Sequence, residues 1–541
     1  MMRPLFLLAV CACAGTAPSQ TSDILTTRYK TPVTVEMRIA PVGDVLKAIS
    51  KQLGESFEPS MSLTDLKLTV YVKKVPAGLV LDKIANVLGC AWRDEHGLEM
   101  LVMLQDEKDR RQGYLDKEAS VLRAEAEKQA HSLADAAASA SSLEEFAQSF
   151  SHDQPTQPNG GPPGPAHFPR VRLVSPSATV ASPTTYALGK QWATWSPSDW
   201  DAFWSGNVCF AQVSYDQPSG GNPDTQARRI RLPSQYVFAR YDLYGDNHLQ
   251  FAMPPHGSIP RTAPEEKQLR PTGELAATPF GKEVLAWTDT SAADKDPAFS
   301  QVMSPSKDPG PQGPLIMADQ LAWLYQHSGI PIVADAFRNQ MPRDRKPLGA
   351  TPASWLSSLQ SVDRCFVRIE DGVVMVRHGG FWHLRTMEIP ETLIQPLAQK
   401  NEPPTLWEYA SFLAALTPAQ VALLPSLNPP VLDFPTEPIA YAIPGLRFLG
   451  SLGSLPQSNT PIPYSELSSS AQQMYQAALY EAMFQGGNWT GLGPGPNPAK
   501  YMFELKAGDV MDEGRVVPGV TLVFGTSDQQ AVTYIVAFPP G

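Results

Sequence analysis

The stretch Val33-Thr-Val-Glu-Met-Arg-Ile-Ala40 alternates apolar and polar residues, the period of a half-buried strand. Pro41 then predicts a helix start, where its missing N–H costs little. Val42, Val45, Leu46, Ile49 and Leu53 fall on one helical face, and Gly54 supplies a stop that can take φ > 0. Leu66, Leu68, Val70 and Val72 alternate again. Pro76 predicts a second helix carrying Leu79, Val80, Lys83, Ile84, Val87 and Leu88, closed by Gly89. Glu95-His-Gly97 predicts a hairpin turn between Cys90–Arg93 and Leu98–Val102. The expected order is β-α-β-β-α-β-β, a sheet with two helices on one face around a continuous core.

A diluted copy lies at a constant offset of 275 positions, with residues 41–102 set against 316–377 without a gap. Asp44 falls on Asp319, Leu46 on Leu321, Gly54 on Gly329 and Ile84 on Leu359. Cys90, Arg93, Glu95, Gly97 and Met100 fall on Cys365, Arg368, Glu370, Gly372 and Met375. In this shared Cys-x-x-Arg-x-Glu-x-Gly-x-x-Met pattern, cysteine and methionine are expected to point inward, arginine and glutamate to lie on the exposed side, and glycine to make the turn. One departure stands out. The strand Leu66–Val72 corresponds to Met341-Pro-Arg-Asp-Arg-Lys-Pro347, whose two prolines exclude a central strand. The second copy is therefore expected to lack that strand or to use it as an edge.

Residues 33–103 resemble the short N-terminal domain shared by secretins and TonB-dependent receptors. The resemblance rests on the first strand, the helix Pro41–Gly54, the strand Leu66–Val72 and the helix Leu79–Gly89. It implies a domain that binds other proteins in the bacterial envelope. It carries no catalytic signature. A pore or receptor barrel would need a long region of alternating strands, and residues 390–515 read as Pro-rich and helical instead.

At 541 residues the chain is long enough for several domains, and the net charge of −11 disfavours nucleic acid as a partner. The densest cationic run, Arg228-Arg-Ile-Arg231, reads as a solvated strand edge. Met1-Met-Arg3 followed by Leu5-Phe-Leu-Leu-Ala-Val-Cys-Ala12 has the shape of a secretory signal, assigned to residues 1–19. Cys11 and Cys13 raise an N-terminal lipid anchor, to which Val10 before Cys11 is a poor fit. No later run has the length of a membrane span, so no transmembrane span is expected in the mature chain. The remaining cysteines, Cys90, Cys209 and Cys365, cannot make a disulfide framework and read as buried thiols.

The fold class read from the sequence is α+β and multi-domain, with two small β-α-β-β-α-β-β-like modules. After the leader come a module at 20–104, a helical segment at 105–152 and a Pro/Gly linker at 153–169. A mixed Trp-rich region at 170–302 follows, then a second module at 315–390 and a helical and β-hairpin region at 400–541. In the helical segment Glu107 and Arg111 stand at i, i+4, a stabilising order. The hairpins are read at Tyr236–Ala252 and across Gly525–Asp528. Residues 253–275, 303–314 and 486–499 read as loops.

No catalytic, cofactor-binding or metal constellation is present as a motif. His-Glu-x-x-His, Gly-x-Ser-x-Gly and a phosphate-cradling Gly-Lys-Ser/Thr are absent. His378 and His383 alone do not supply a zinc site. Trp192, Trp195, Trp200 and Trp204 are the candidate ligand or partner face, against the alternative that they form a small core. The sequence points to an exported protein of the periplasm or outer membrane, a scaffold for an envelope protein partner with no enzyme activity and no cofactor. The alternative is an envelope carbohydrate-binding protein or hydrolase using the Trp-rich region.

Overall fold

The computed structural model of the protein describes residues 25–142, 145–146, 183–204, 209–213, 216–218, 229–231, 235–242, 248–252, 270–303, 314–338, 343–344, 350–361, 363–400, 404–417, 420–421, 438–484, 501–512, 515–526 and 529–537. The leader at 1–19 with Cys11 and Cys13, the linker at 153–169 and the loop at 486–499 lie outside them. So do most of 253–275 and 303–314 and the turn at 245–247. The chain is α+β and divides into two compact units.

The first unit is Met1–Arg111 with Glu283–Phe381. It opens with β1 (Pro32–Pro41), α1 (Val42–Leu53), β2 (Phe57–Pro59), β3 (Lys67–Pro76), α2 (Ala77–Leu88), β4 (Ala91–Glu95) and β5 (Leu98–Val102), the order read from the sequence. Pro41 and Pro76 sit one place earlier than expected, as N-caps with extended ψ of 141° and 130°. The helix α3 (Gln105–Ser139) follows, of which residues 105–111 belong to this unit. There Arg111 reaches Glu107 at 3.3 Å. The later part holds β6 (Pro314–Leu315), α4 (Met317–Ser328), β7 (Ile332–Ala336), β8 (Arg343–Asp344), α5 (Pro352–Ser361), β9 (Phe366–Glu370) and β10 (Val373–Arg377).

The offset of 275 carries α1 onto α4 end for end. It also carries strand register. Phe57↔Glu99 and Pro59↔Leu101 become Ile332↔Val374 and Ala334↔Val376. Ala91↔Val102 and Glu95↔Leu98 become Phe366↔Arg377 and Glu370↔Val373. Gly54 and Gly329 both close their helices at φ 73° and 70°. The hairpin turns His96-Gly97 and Asp371-Gly372 hold both residues at positive φ, the two-residue turn that matches strand twist.

The strands do not form one sheet per module. In the first, β1 and β3 make a ribbon, and β2-β5-β4 a separate three-stranded sheet. The later residues repeat this with β6–β8 and β7-β10-β9. Among the described residues β8 pairs with β6 over Arg343–Asp344, in the stretch with two prolines. The two parts are joined by β3, which runs antiparallel to β7 from Ile332↔Tyr71 to Ala336↔Lys67. The result is a five-stranded sheet, β1-β3-β7-β10-β9.

Joining the modules changes what is buried. On one face of β7-β10-β9, Ile332, Ala334, Val367, Ile369, Val374 and Val376 pack into one cluster with Leu321, Leu324, Trp355, Leu356 and Leu359. The other face is covered by α2 of the first module, which packs against β7 and β10. β10 is therefore buried along its whole length, whereas β5 alternates. This corrects the expectation for the methionines. The inward pairs are Trp92↔Leu101 and Val367↔Val376, and each methionine pairs instead with the arginine on the opposite face. Met375 is buried there because α2 lies over it; Met100 is only half-buried. The thiols also differ. Cys365 is buried with Sγ 3.5 Å from Met317 Sδ, while Cys90 is half-buried with Sγ 3.7 Å from the Leu88 carbonyl. Both are free.

The second unit is Gln112–Lys282 with Trp382–Gly541. Its antiparallel sheet runs Ile462–Pro463, Tyr501–Asp512, Arg515–Thr526, Gln529–Ala537. Phe503, Leu505, Leu522, Phe524, Tyr534 and Val536 pack under Tyr409, Leu413, Leu446, Phe448, Tyr475 and Leu479 of its helices. The closing hairpin was expected; the strand at 501–512 was not. Among the described residues no helix is long and apolar enough to cross a membrane.

Candidate protein-interaction surface

The helix α2 is buried on almost every side, because its own module and the sheet β7-β10-β9 both pack on it. Two charged side chains are caught in this packing. Lys83 is 2% exposed, and its Nζ lies 3.1 Å from Asp82, 3.0 Å from Glu370 and 2.8 Å from Asp371. Burial alone would pull the ammonium pKa down. The hydrogen bonds to Asp371 and Glu370 and the charge of Asp82 outweigh it and hold the pKa above the ordinary lysine value. Arg377 donates from Nε to the Val87 carbonyl at 2.8 Å and from the guanidinium to the Asn86 carbonyl. These carbonyls end α2, where the helix dipole favours a cation. The guanidinium lies 4.4 Å from the Trp287 ring centroid and 5.1 Å from that of Phe381. Burial lowers its pKa to about 10 against the pull of Asp335, so it stays charged at neutral pH.

At the margin of the joint, Tyr71 stacks on Tyr325 at 5.4 Å, Tyr325 donates to Glu36 at 3.0 Å, and Arg38 meets Asp319 at 2.7 Å. Burial raises the Tyr71 pKa from 10 to about 12. The neutral phenol is thus favoured in the fold. Its contribution is complete below pH 10 and is lost as pH rises toward 12. An alkaline unfolding step of the first unit in that window is expected, and Tyr71→Phe should diminish it. Circular dichroism against pH checks this; an identical step in Tyr71→Phe would refute the assignment.

The first module presents the equivalents of these joined surfaces. Phe57 and Pro59 of β2 occupy the places of Ile332 and Ala334, which face β3. Here strand addition is blocked: the Phe57 N–H is bonded to Ser50 Oγ at 3.1 Å, and Pro59 has no N–H. The outer face of β2-β5-β4 carries exposed Glu58, Arg93 and Glu95 around half-buried Ala91, Leu98, Met100 and Val102. The corresponding face in the later residues is the one that α2 covers. Finally, β4 is an outer strand of its sheet.

The tryptophans named from the sequence do come together. Ser196 and Asp199 cap the helix Pro197–Trp204 reciprocally, at 2.8 Å from Ser196 N to Asp199 Oδ2 and 3.4 Å from Asp199 N to Ser196 Oγ. Trp200 lies 5.6 Å from Trp192, 4.9 Å from Trp195 and 5.9 Å from Trp204, with His131 4.4 Å away on Trp200. Trp192, Trp200 and Trp204 are buried and Trp195 is half-exposed, so the group packs as a core. His378 Nδ1 lies 2.7 Å from buried Asp335, and His383 Nε2 lies 3.0 Å from Glu118. Among the described residues no group of three or more His, Cys, Asp or Glu side chains could hold a metal ion.

Sequence reading missed the buried charges. Lys83 had a signal, since it lies on the apolar face of its helix. Arg377 had none, since it ends an apolar run as a solvated edge residue would. No protein-family model, curated protein or solved structure matches the chain.

Proposed function

We propose that the protein is an exported bacterial cell-envelope protein that acts as an interaction scaffold, with modules of the secretin and TonB-receptor short N-terminal type. One observation carries this. In the later module, protein fills both the edge and the outer face of the three-stranded sheet, through β3 and α2. The same face of the first module is open to solvent around Glu58, Arg93 and Glu95. A surface that one module uses to bind protein is available on the other for a partner. The preserved register supports descent of both from one duplicated module. The apolar leader at 1–19 supports export to the periplasm or outer membrane, and a lipid anchor at Cys11 or Cys13 would add attachment. The role is binding without catalysis. A carbohydrate or hydrolase role for the Trp-rich region draws less support, because three of the four indoles are buried.

A photo-crosslinking residue placed at Glu58 or Glu95 of the full chain, with Asp509 as control, tests this in envelope fractions. The expected result is a protein adduct from the first two positions alone and a mature N-terminus beyond residue 19 by mass spectrometry. Equal adducts from all three positions, or an intact Met1 on a cytoplasmic protein, would overturn it.

A further inference from the structure

In the later module the outer edge of β9 is covered. Asp289 lies parallel to it: its N–H donates to the Val367 carbonyl at 3.2 Å, and its carbonyl accepts from the Ile369 N–H at 2.8 Å. Its carboxyl is held below the usual aspartate range by hydrogen bonds from Ser291, with a smaller pull from the Arg368 charge. Two residues earlier, Trp287 is buried over Arg377. The contact thus has three parts: a backbone pair, an acid beside an arginine, and an apolar residue two places before the acid.

At the offset of 275, Val367 and Ile369 correspond to Trp92 and Asp94 of β4, Arg368 to Arg93, and Arg377 to Val102. The hairpin register is the same, so the Trp92 carbonyl and the Asp94 N–H point to the outer edge. Among the described residues no strand pairs there, and Arg93 is exposed with no ion pair. Val102 is half-buried and apolar, fit to receive an apolar side chain where Arg377 receives Trp287. The opposite edge of this sheet is closed by Pro59 and the Ser50 contact. Building on the scaffold reading, we infer that β4 is a strand-addition site for an extended acidic segment of a partner protein. The segment runs parallel to β4, sets a carboxylate beside Arg93, and places an apolar residue two positions earlier over Val102. Main-chain hydrogen bonds give such a contact its affinity, and the two side chains give it selectivity.

The test uses the full chain and a peptide of the sequence Leu285–Ser291 with a fluorinated tryptophan, followed by 19F line broadening, which detects weak binding. Broadening by the native protein is expected, with affinity reduced roughly fivefold or more by Arg93→Glu. A peptide carrying Asp289→Lys should recover binding to the Arg93→Glu protein. Methylating the Asp289 nitrogen should abolish binding without touching the protein. No broadening by the native chain, as when another segment of this chain already covers the edge, would overturn the inference. So would unimpaired binding of the N-methyl peptide or absence of charge-swap recovery. If Arg93→Glu leaves the envelope crosslinks at Glu58 and Glu95 intact, the edge site falls and the scaffold role stands.

Discussion

Replacing Arg377 with methionine is expected to destabilise the first unit by about 3–5 kcal/mol, the range for removing one partner from a buried charged group. Methionine fills much of the volume but cannot donate. The Val87 carbonyl at the end of α2 loses its donor, the Asn86 carbonyl keeps only the Gly89 N–H at 3.3 Å, and buried Asp335 loses the cation that acts on it. Buried polar atoms left unpaired each carry their full desolvation cost. Arg377→Lys should recover only part, because an ammonium cannot reach both carbonyls while stacking on Trp287 and Phe381. Denaturant unfolding followed by hydrogen exchange over residues 77–102 and 366–377 measures it. A loss below about 1 kcal/mol, the size of an exposed ion pair, would show that the guanidinium is not dry.

Ala334→Pro should open the joint between the modules. The Val374 N–H donates to the Pro331 carbonyl at 2.9 Å, so the alternating backbone turns the groups of Ala334 toward β3, opposite Thr69. Proline removes that N–H from a strand buried on both faces and leaves an acceptor on β3 without its donor. The expected cost is about 3 kcal/mol. The first module already carries proline at this place, Pro59, and among the described residues no strand pairs with its outer edge, away from β5. Exchange of the amides of Lys67–Tyr71 reads the effect, and unchanged protection in Ala334→Pro would contradict the pairing.

Much of the first module was legible because its signals are local. Alternation, helix faces, Gly54 and Gly89 stops and a two-residue turn are all written within a few residues of where they act. The gapless offset was legible for the same reason, and it carried register as well as element order. Partition of the strands into ribbon and sheet was not legible, since period-2 alternation says nothing about which strand is the neighbour. The pairing of β3 with β7 is a contact between residues 67–71 and 332–336, and no local pattern encodes it. The continuous apolar run Val373–Val376 did hint at burial on both faces, and α2 explains it. For the tryptophans, spacing brought the indoles together correctly but could not tell a packed cluster from an exposed one.

The same long-range pairing sets an order of events during biogenesis. The ribbon β1–β3 can close as soon as residues 32–76 are made, but the other edge of β3 has no partner until residues 332–336 emerge. At ordinary synthesis rates that interval is roughly 13–50 s. Throughout it the strand Leu68-Thr-Val-Tyr-Val72 stays an unpaired, β-branched edge, the kind that recruits other nascent chains. Chaperone demand should therefore concentrate on a segment that finishes early in the chain and is satisfied late. Chains truncated before residue 332 should aggregate through the first module, even though every residue of that module is present.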